Sequence, residues 1–169
     1  MGTAFRALDP RWSFKPLSGE GAALFGGRFN PKGMLALYLA LDDVTAIKEA
    51  SQGFGAKFEP LFVCAYEIDC VGIVDLRQAR SQKRRHIHEG QLASGWKEIE
   101  AEGDEPPTWA MARRMTAQGV TGIIVPSFAR RAVPGESNLV LWRWGPKRPR
   151  KVEVFDPSGR LPKNDLSWS

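Results

Sequence analysis

The fold is decided by the stretch Gly26-Gly27-Arg28-Phe29-Asn30-Pro31-Lys32-Gly33-Met34-Leu35-Ala36-Leu37-Tyr38-Leu39-Ala40-Leu41. Its glycine pair allows a turn or a close approach to a ligand, and Arg28 carries donors suited to phosphate or carboxylate. Leucine at every second position from Leu35 to Leu41 predicts a strand whose leucine face is core. Tyr38 lies on the opposite, alanine-lined face, which we interpret as a hollow. The stretch therefore predicts an anion site beside a strand.

A short helix is predicted directly after this strand. Asp42 or Asp43 can cap it, and apolar residues follow at helical spacing from Val44 to Ala50. The same helix carries Glu49. Loop, strand and helix thus place an arginine, a tyrosine and a glutamate near one strand and its two ends, which predicts one functional site.

The remaining pattern indicates a single α+β domain. Strand and helix alternate irregularly and no internal repeat is evident, so we expect a mainly antiparallel sheet. We place the domain at residues 1–156 and a loosely held tail at 157–169, in which Trp168 could dock. Strands are predicted at 61–68, 120–127, 138–144 and 151–155, a strand or turn at 1–17 and at 71–76, helices at 91–102 and 110–118, and a polar loop at 78–89.

The composition is that of a soluble globular protein. The 169 residues are 43% hydrophobic and 25% charged, and no apolar run approaches the roughly 18 residues that span a bilayer. No signal segment is recognisable, so we expect a cytoplasmic protein without membrane contact. The net charge of +5 favours an anionic partner, which is a nucleic acid, a dinucleotide or an acidic protein surface.

The spacing of the glycines excludes two common nucleotide-binding motifs. Residues 21–26 have the Gly-x-x-x-x-Gly spacing of a P-loop, but Gly27-Arg28 stands where that loop needs Lys-Ser or Lys-Thr. The Rossmann fingerprint fails as well. The basic runs at 83–88 and 147–151 have no recognition-helix or aromatic motif, so nucleic-acid binding would rest on charge alone.

The cysteines and histidines do not predict a metal site. Cys64 and Cys70 lack paired spacing and lie in apolar surroundings, which predicts buried free thiols. His86 and His88 have no third ligand nearby, so we interpret them as part of a solvated basic loop.

Two uncharged polar residues stand at predicted strand ends. Ser127 follows Pro126, and Asn138 opens the next strand. Both side chains can donate and accept hydrogen bonds in a site, although a turn or a cap explains either position equally well.

Several segments of the sequence resemble those of a known family, the RES domain family. The likeness is carried by Trp12, by the segments 18–22, 26–33 and 37–40, by Thr45-Ala46 and by Glu49, and it extends over nearly the whole chain to about residue 155. The family is named after an arginine, a glutamate and a serine, which here look like Arg28, Glu49 and Ser127. Phe29 departs from the pattern, in which tryptophan is commoner.

The resemblance implies a fold, an activity and a partner. The implied fold is similar to ADP-ribosyltransferases, with a split, mainly antiparallel sheet and flanking helices. The implied function is that of a toxin of a bacterial type II toxin–antitoxin pair that consumes NAD+ without a metal and passes ADP-ribose to a protein, phosphate or water. The implied partner is an antitoxin with an Xre-type helix-turn-helix. The oligomeric state, including a homodimer, stays open.

The residue chemistry agrees with that implication. A pyrophosphate favours a guanidinium, a nicotinamide ring favours an aromatic face, and the ribose cation formed when nicotinamide leaves favours a carboxylate. We therefore expect Glu49, Arg28 and Tyr38 to be catalytic, and Arg28, Tyr38, Ser127 and Asn138 to bind NAD+.

Two alternative functions stay open. One is a small basic ribonuclease toxin, and the other is a non-enzymatic module that binds nucleic acid or a protein partner. A ribonuclease is expected to place a histidine or lysine base in a cleft, whereas both histidines lie in one polar run away from Arg28 and Glu49.

Overall fold

The computed structural model describes residues 2–51, 60–164 and 166. Its strands are β1 Gly2–Leu8, β2 Leu37–Ala40, β3 Phe62–Cys70, β4 Ile73–Asp75, β5 Gly122–Pro126, β6 Ser137–Leu141 and β7 Arg150–Val154. They form one seven-stranded sheet in the order β4-β5-β6-β2-β1-β3-β7. All neighbours are antiparallel except β4 and β5, which are parallel. The predicted α+β fold with a mainly antiparallel sheet is confirmed.

The helices of the described residues are short. They are α1 Glu20–Phe25, α2 Asp43–Ser51, α3 Ala79–Arg84, α4 Glu89–Leu92, α5 Trp96–Ala101 and α6 Pro107–Ala117. The predicted helices after β2 and at 110–118 are confirmed as α2 and α6.

Two of the predictions between β4 and α6 are wrong. Two helices stand where one was predicted at 91–102. The helix is interrupted at Ser94 and at Gly95, whose backbone (φ −71°, ψ 75°) is not helical. The predicted loop at 78–89 contains α3. Gln82 of α3 donates from Nε2 to the carbonyl oxygen of Leu76 at 2.7 Å, and Ile87 after it is buried. This helix is therefore held by tertiary contacts that its polar sequence does not indicate.

Strand β1 is longer and more central than its sequence suggests. It pairs with β3 over seven residue pairs, from Gly2 opposite Ile68 to Leu8 opposite Phe62. On its other side it meets β2 through one pair, Phe5 opposite Ala40. β1 and β2 therefore share fewer residue pairs than any other neighbouring strands of this sheet. Their junction separates a half of four strands from a half of three.

The alternation in β2 sends its side chains into two separate cores. Leu37 and Leu39 are almost fully buried in the core that also contains Tyr66 and Leu139. Tyr38 packs on the other face, against the core formed around Met111 of α6. The predicted leucine face is confirmed at these two positions.

The prediction fails at the first leucine of the run. The side chain of Leu35 is 49% exposed because the strand begins only at Leu37. Leu41, just after the strand, is partly buried against the same core as Leu37.

Both thiols are free, as predicted, with Cys64 buried and Cys70 half-buried. Burial raises the pKa of the Cys64 thiol. In the tail, Leu161 packs against the core that contains Tyr66, whereas Trp168 lies outside the described residues. Across the described ranges, the helices are all too short or too polar to cross a membrane.

Candidate active site

A cavity of about 650 Å³ opens beside the junction of β1 and β2. Arg28, Tyr38, Glu49 and Asn138 all line it, although they come from the glycine loop, β2, α2 and β6. Ser127 is absent from the lining residues, but its hydroxyl donates a hydrogen bond to Glu49. Sequence-predicted site residues from five parts of the chain thus meet at one place.

Helix α2 presents Glu49 because its first turn is capped. Asp42 Oδ1 accepts from the backbone nitrogen of Thr45 at 2.7 Å, and its Oδ2 accepts from Thr45 Oγ1 at 2.7 Å. Thr45 and Ala46 are buried beneath the helix. Glu49 lies one turn further along the same inner face and is half-buried. The predicted aspartate cap thereby fixes the direction of this carboxylate.

Two neutral donors orient the Glu49 carboxylate. Ser127 Oγ donates to Glu49 Oε1 at 2.6 Å, and Asn138 Nδ2 donates to the same oxygen at 2.5 Å. Ser127 Oγ in turn accepts from the backbone nitrogen of Ala129 at 3.2 Å. Hydrogen bonds to an ionised acceptor are stronger than neutral ones. The carboxylate is therefore held in one orientation at the cavity wall. Direct contact of Ser127 with a substrate stays a prediction.

Arg28 lies over an aromatic ring and is anchored to the main chain. Its Cζ lies 4.7 Å from the ring centroid of Phe128. Its Nη1 donates to the carbonyl oxygens of Ser94 and, at 3.4 Å, of Leu92. Burial lowers the pKa of the Arg28 guanidinium, and the negative charge of Glu49 acts against this shift. The two charged groups therefore interact electrostatically.

The loop before Arg28 has room for glycine alone at one position. A Cβ added to Gly27 would lie 2.6 Å from Tyr38 Oη and 2.7 Å from Asn30 Oδ1. The Tyr38 hydroxyl donates to Asn30 Oδ1 at 2.7 Å and accepts from the backbone nitrogen of Phe29 at 2.9 Å. Burial raises the pKa of Tyr38. The tyrosine hydroxyl thus holds the loop that carries Arg28.

Two tryptophans from distant parts of the chain, and Asn30 within the loop, also hold this loop in place. Trp109 Nε1 donates to the carbonyl oxygen of Gly27 at 2.7 Å, and Trp142 Nε1 to that of Phe29 at 2.9 Å. These tryptophans are 82 and 113 residues away along the chain, so no local pattern could connect them. The amide of Asn30 is buried and donates to three carbonyl oxygens, those of Ala22, Pro31 and Met34.

Arg6 of β1 is a second cation in the cavity wall that the sequence did not single out. Its Nη1 donates to the carbonyl oxygens of Pro16 at 3.1 Å and Ser18 at 2.9 Å. It forms no ion pair with any carboxylate of the described residues. Burial lowers the pKa of this guanidinium. Alternation along a strand shows which residues share a face, but not which face borders a cavity. The place of Arg6 in the cavity wall therefore becomes evident only from the position of β1 inside the sheet.

Helix α5 forms a further part of the cavity wall. Trp96, Lys97 and Glu98 at its start line the cavity, and the ring centroid of Trp96 lies 6.4 Å from that of Trp109. Lys32 of the glycine loop forms an ion pair with Glu100 of α5 at 2.8 Å. This wall is therefore fixed to the same loop as Arg28.

The histidines lie elsewhere. His86 and His88 are exposed, just after α3, and neither lines the cavity. In residues 2–51, 60–164 and 166 there is no cluster of three His, Cys, Asp or Glu side chains that could hold a metal ion.

Comparisons with known proteins identify the family of this chain and agree with its fold. The family model described as "RES domain" matches residues 3–164. Proteins named NAD(+) phosphorylase MbcT from Mycobacterium bovis and Mycobacterium tuberculosis are each 28% identical over 137 residues, which are 73% of this chain and 72% of each relative.

A solved structure shares the fold. It is described as the crystal structure of the M. tuberculosis MbcT-MbcA toxin-antitoxin complex. The match has a TM-score of 0.63 at 20% identity and covers 92% of this chain and 81% of that chain.

Proposed function

The chain belongs to the RES domain family, and we propose that it is a toxin enzyme that consumes NAD+. It cleaves the bond between nicotinamide and ribose and transfers ADP-ribose to an acceptor. The observation that carries this proposal is the Glu49 carboxylate, held by Ser127 and Asn138 at the wall of a cavity that also contains Arg28 and Arg6.

The two guanidinium groups are suited to the pyrophosphate of NAD+. Within the described residues, the hydrogen bonds of Arg28 leave from Nη1, which leaves its Nε and Nη2 for a ligand. Arg6 donates from Nη1 to two carbonyl oxygens and also interacts with the Tyr66 side chain. Guanidinium groups bind phosphate oxygens through two parallel hydrogen bonds. An anion in the cavity would also offset the cost of burying two cations.

The aromatic residues of the wall are suited to the rings of NAD+. Tyr38 of β2 and Trp96 of α5 both line the cavity that Glu49 lines. A positively charged nicotinamide ring is attracted to an aromatic face. The Tyr38 hydroxyl is occupied with Asn30 and Phe29, so its ring is the part that serves the substrate.

The carboxylate of Glu49 supplies the catalytic charge. When the glycosidic bond breaks, its electron pair neutralises the nicotinamide ring, and a positive charge develops on the ribose. A carboxylate about 4 Å from that charge contributes about 4 kcal/mol at an effective dielectric constant near 20. If this attraction acts only in the transition state, it accelerates the reaction about a thousandfold.

The acceptor that we propose is inorganic phosphate. Its oxygen attacks the anomeric carbon, and the product is ADP-ribose 1-phosphate together with free nicotinamide. The support is the name of the relatives, NAD(+) phosphorylase, together with Lys97, which lines the cavity in addition to the two guanidinium groups suited to the pyrophosphate. Water and a protein side chain are the competing acceptors.

We further propose that an antitoxin protein with an Xre-type helix-turn-helix neutralises the enzyme. The related solved structure is a toxin–antitoxin complex, and the family resemblance supplies the type of antitoxin. Expression of the chain alone should arrest bacterial growth, and co-expression of the antitoxin encoded beside it should restore growth.

Incubation of the purified protein with NAD+ and, separately, with RNA tests the proposed function. We expect loss of NAD+ with one nicotinamide released per NAD+, at a rate that rises with added phosphate, and intact RNA. Phosphorus NMR then identifies the product. Free ADP-ribose as the product at all phosphate concentrations would identify water, not phosphate, as the acceptor. Cut RNA with intact NAD+ would favour a ribonuclease.

A further inference from the structure

We propose that the ion pair between Lys48 and Glu136 is a positioning device for catalysis. It fixes α2, which carries Glu49, against the segment that carries Ser127 and Asn138. This inference rests on the proposed function, because it assumes that Glu49 is the catalytic carboxylate.

The pair is the most enclosed of the ion pairs among the described residues. Lys48 Nζ contacts Glu136 Oε1, and the two side chains are 27% and 11% exposed. In the pair of Arg148 with Asp69 the exposures are 76% and 23%. Enclosed charges are screened less by solvent than exposed ones. The contact can therefore hold two elements together where most surface pairs cannot.

Glu136 is itself fixed to the segment that binds Glu49. Its Oε2 accepts from the backbone nitrogen of Val133 at 3.0 Å. Its carbonyl oxygen accepts from the backbone nitrogen of Ser127 at 2.9 Å. The hydrogen bond from Lys48 holds the pKa of this carboxylate below the usual glutamate value. Because the main chain of Glu136 is bonded to that of Ser127, the ion pair also restrains the backbone of Ser127.

Two consecutive residues of α2 thus reach the same segment. Lys48 contacts Glu136, and Glu49 contacts Ser127 and Asn138. The body of α2 packs on β1, β2 and β3, whereas Lys48 directly contacts Glu136, the residue just before β6. The ion pair thus adds a link between the helix and this segment, beside the hydrogen bonds of Glu49 itself. A displacement of about 1 Å at a reacting group can cost up to a hundredfold in rate.

The test compares Lys48→Met, Glu136→Gln and the charge-exchanged double variant Lys48→Glu/Glu136→Lys with the wild type. We expect each single variant to lower kcat about tenfold while KM for NAD+ stays within about twofold. The double variant should regain kcat to within about threefold of wild type. Asp69→Asn, which breaks the exposed pair with Arg148, is the control and should leave both constants unchanged.

A second readout separates this inference from the proposed function. Hydrogen–deuterium exchange of the backbone at 127–138 should rise in both single variants and return to the wild-type rate in the double variant. Single variants with wild-type kcat, or a double variant as slow as the single ones, would overturn the positioning role. A wild-type protein that leaves NAD+ intact would overturn the proposed function. Separately, unchanged hydrogen–deuterium exchange in the single variants would overturn the structural role of the ion pair.

Discussion

Replacing Glu49 by glutamine is the sharpest perturbation of the site. The amide oxygen of glutamine can still accept from Ser127 Oγ and Asn138 Nδ2, which lie 2.6 and 2.5 Å from Glu49 Oε1, so α2 should keep its place. Only the negative charge is lost. With the ribose cation about 4 Å away, that charge contributes about 4 kcal/mol, and we expect kcat to fall about a thousandfold.

The assay is the initial rate of nicotinamide release at several NAD+ concentrations, combined with NAD+ binding by calorimetry. KM and the dissociation constant of NAD+ should stay within about threefold of wild type, because the charge acts in the transition state. Glu20→Gln on α1 removes a charge outside the cavity wall and should leave kcat unchanged. A Glu49→Gln enzyme that keeps more than about a tenth of the wild-type kcat would refute the reasoning.

Four further outcomes are expected. Gly27→Ala should lower the unfolding free energy by about 1–3 kcal/mol in chemical denaturation, since its Cβ would lie 2.6 Å from Tyr38 Oη. Arg28→Lys loses the contact with Phe128, and KM for NAD+ should rise about tenfold with a smaller change in kcat. Arg6→Gln should also raise KM, and an unchanged KM would remove Arg6 from the phosphate site. Because burial raises the pKa of Tyr38, the unfolded chain ionises first, so the unfolding free energy should fall as pH rises past about 10, less steeply in Tyr38→Phe.

The elements that the sequence predicts well are those with local signals. The alternating leucines of β2 and the Asp42 cap of α2 each lie within a few residues of what they determine. Glu49 follows from the same local logic, because capping fixes the helix and the helix fixes the side chain.

The parts that the sequence misses depend on distant contacts. Strand β1 becomes central because β3 pairs with all of it, and this pairing turns Arg6 from a surface residue into part of the cavity wall. Trp109 and Trp142 support the glycine loop from 82 and 113 residues away. The break at Gly95 replaces a single predicted helix with two, and this break places Trp96 at the cavity.

The central claim is that the nicotinamide–ribose bond of NAD+ lies against Glu49 in this cavity. A crystal structure of the Glu49→Gln protein with NAD+ tests it most directly. We predict the anomeric carbon of the nicotinamide ribose within about 4 Å of the side chain at position 49, with the pyrophosphate at Arg28 and Arg6. NAD+ bound elsewhere, or bound with its adenine ribose at position 49, would contradict the account.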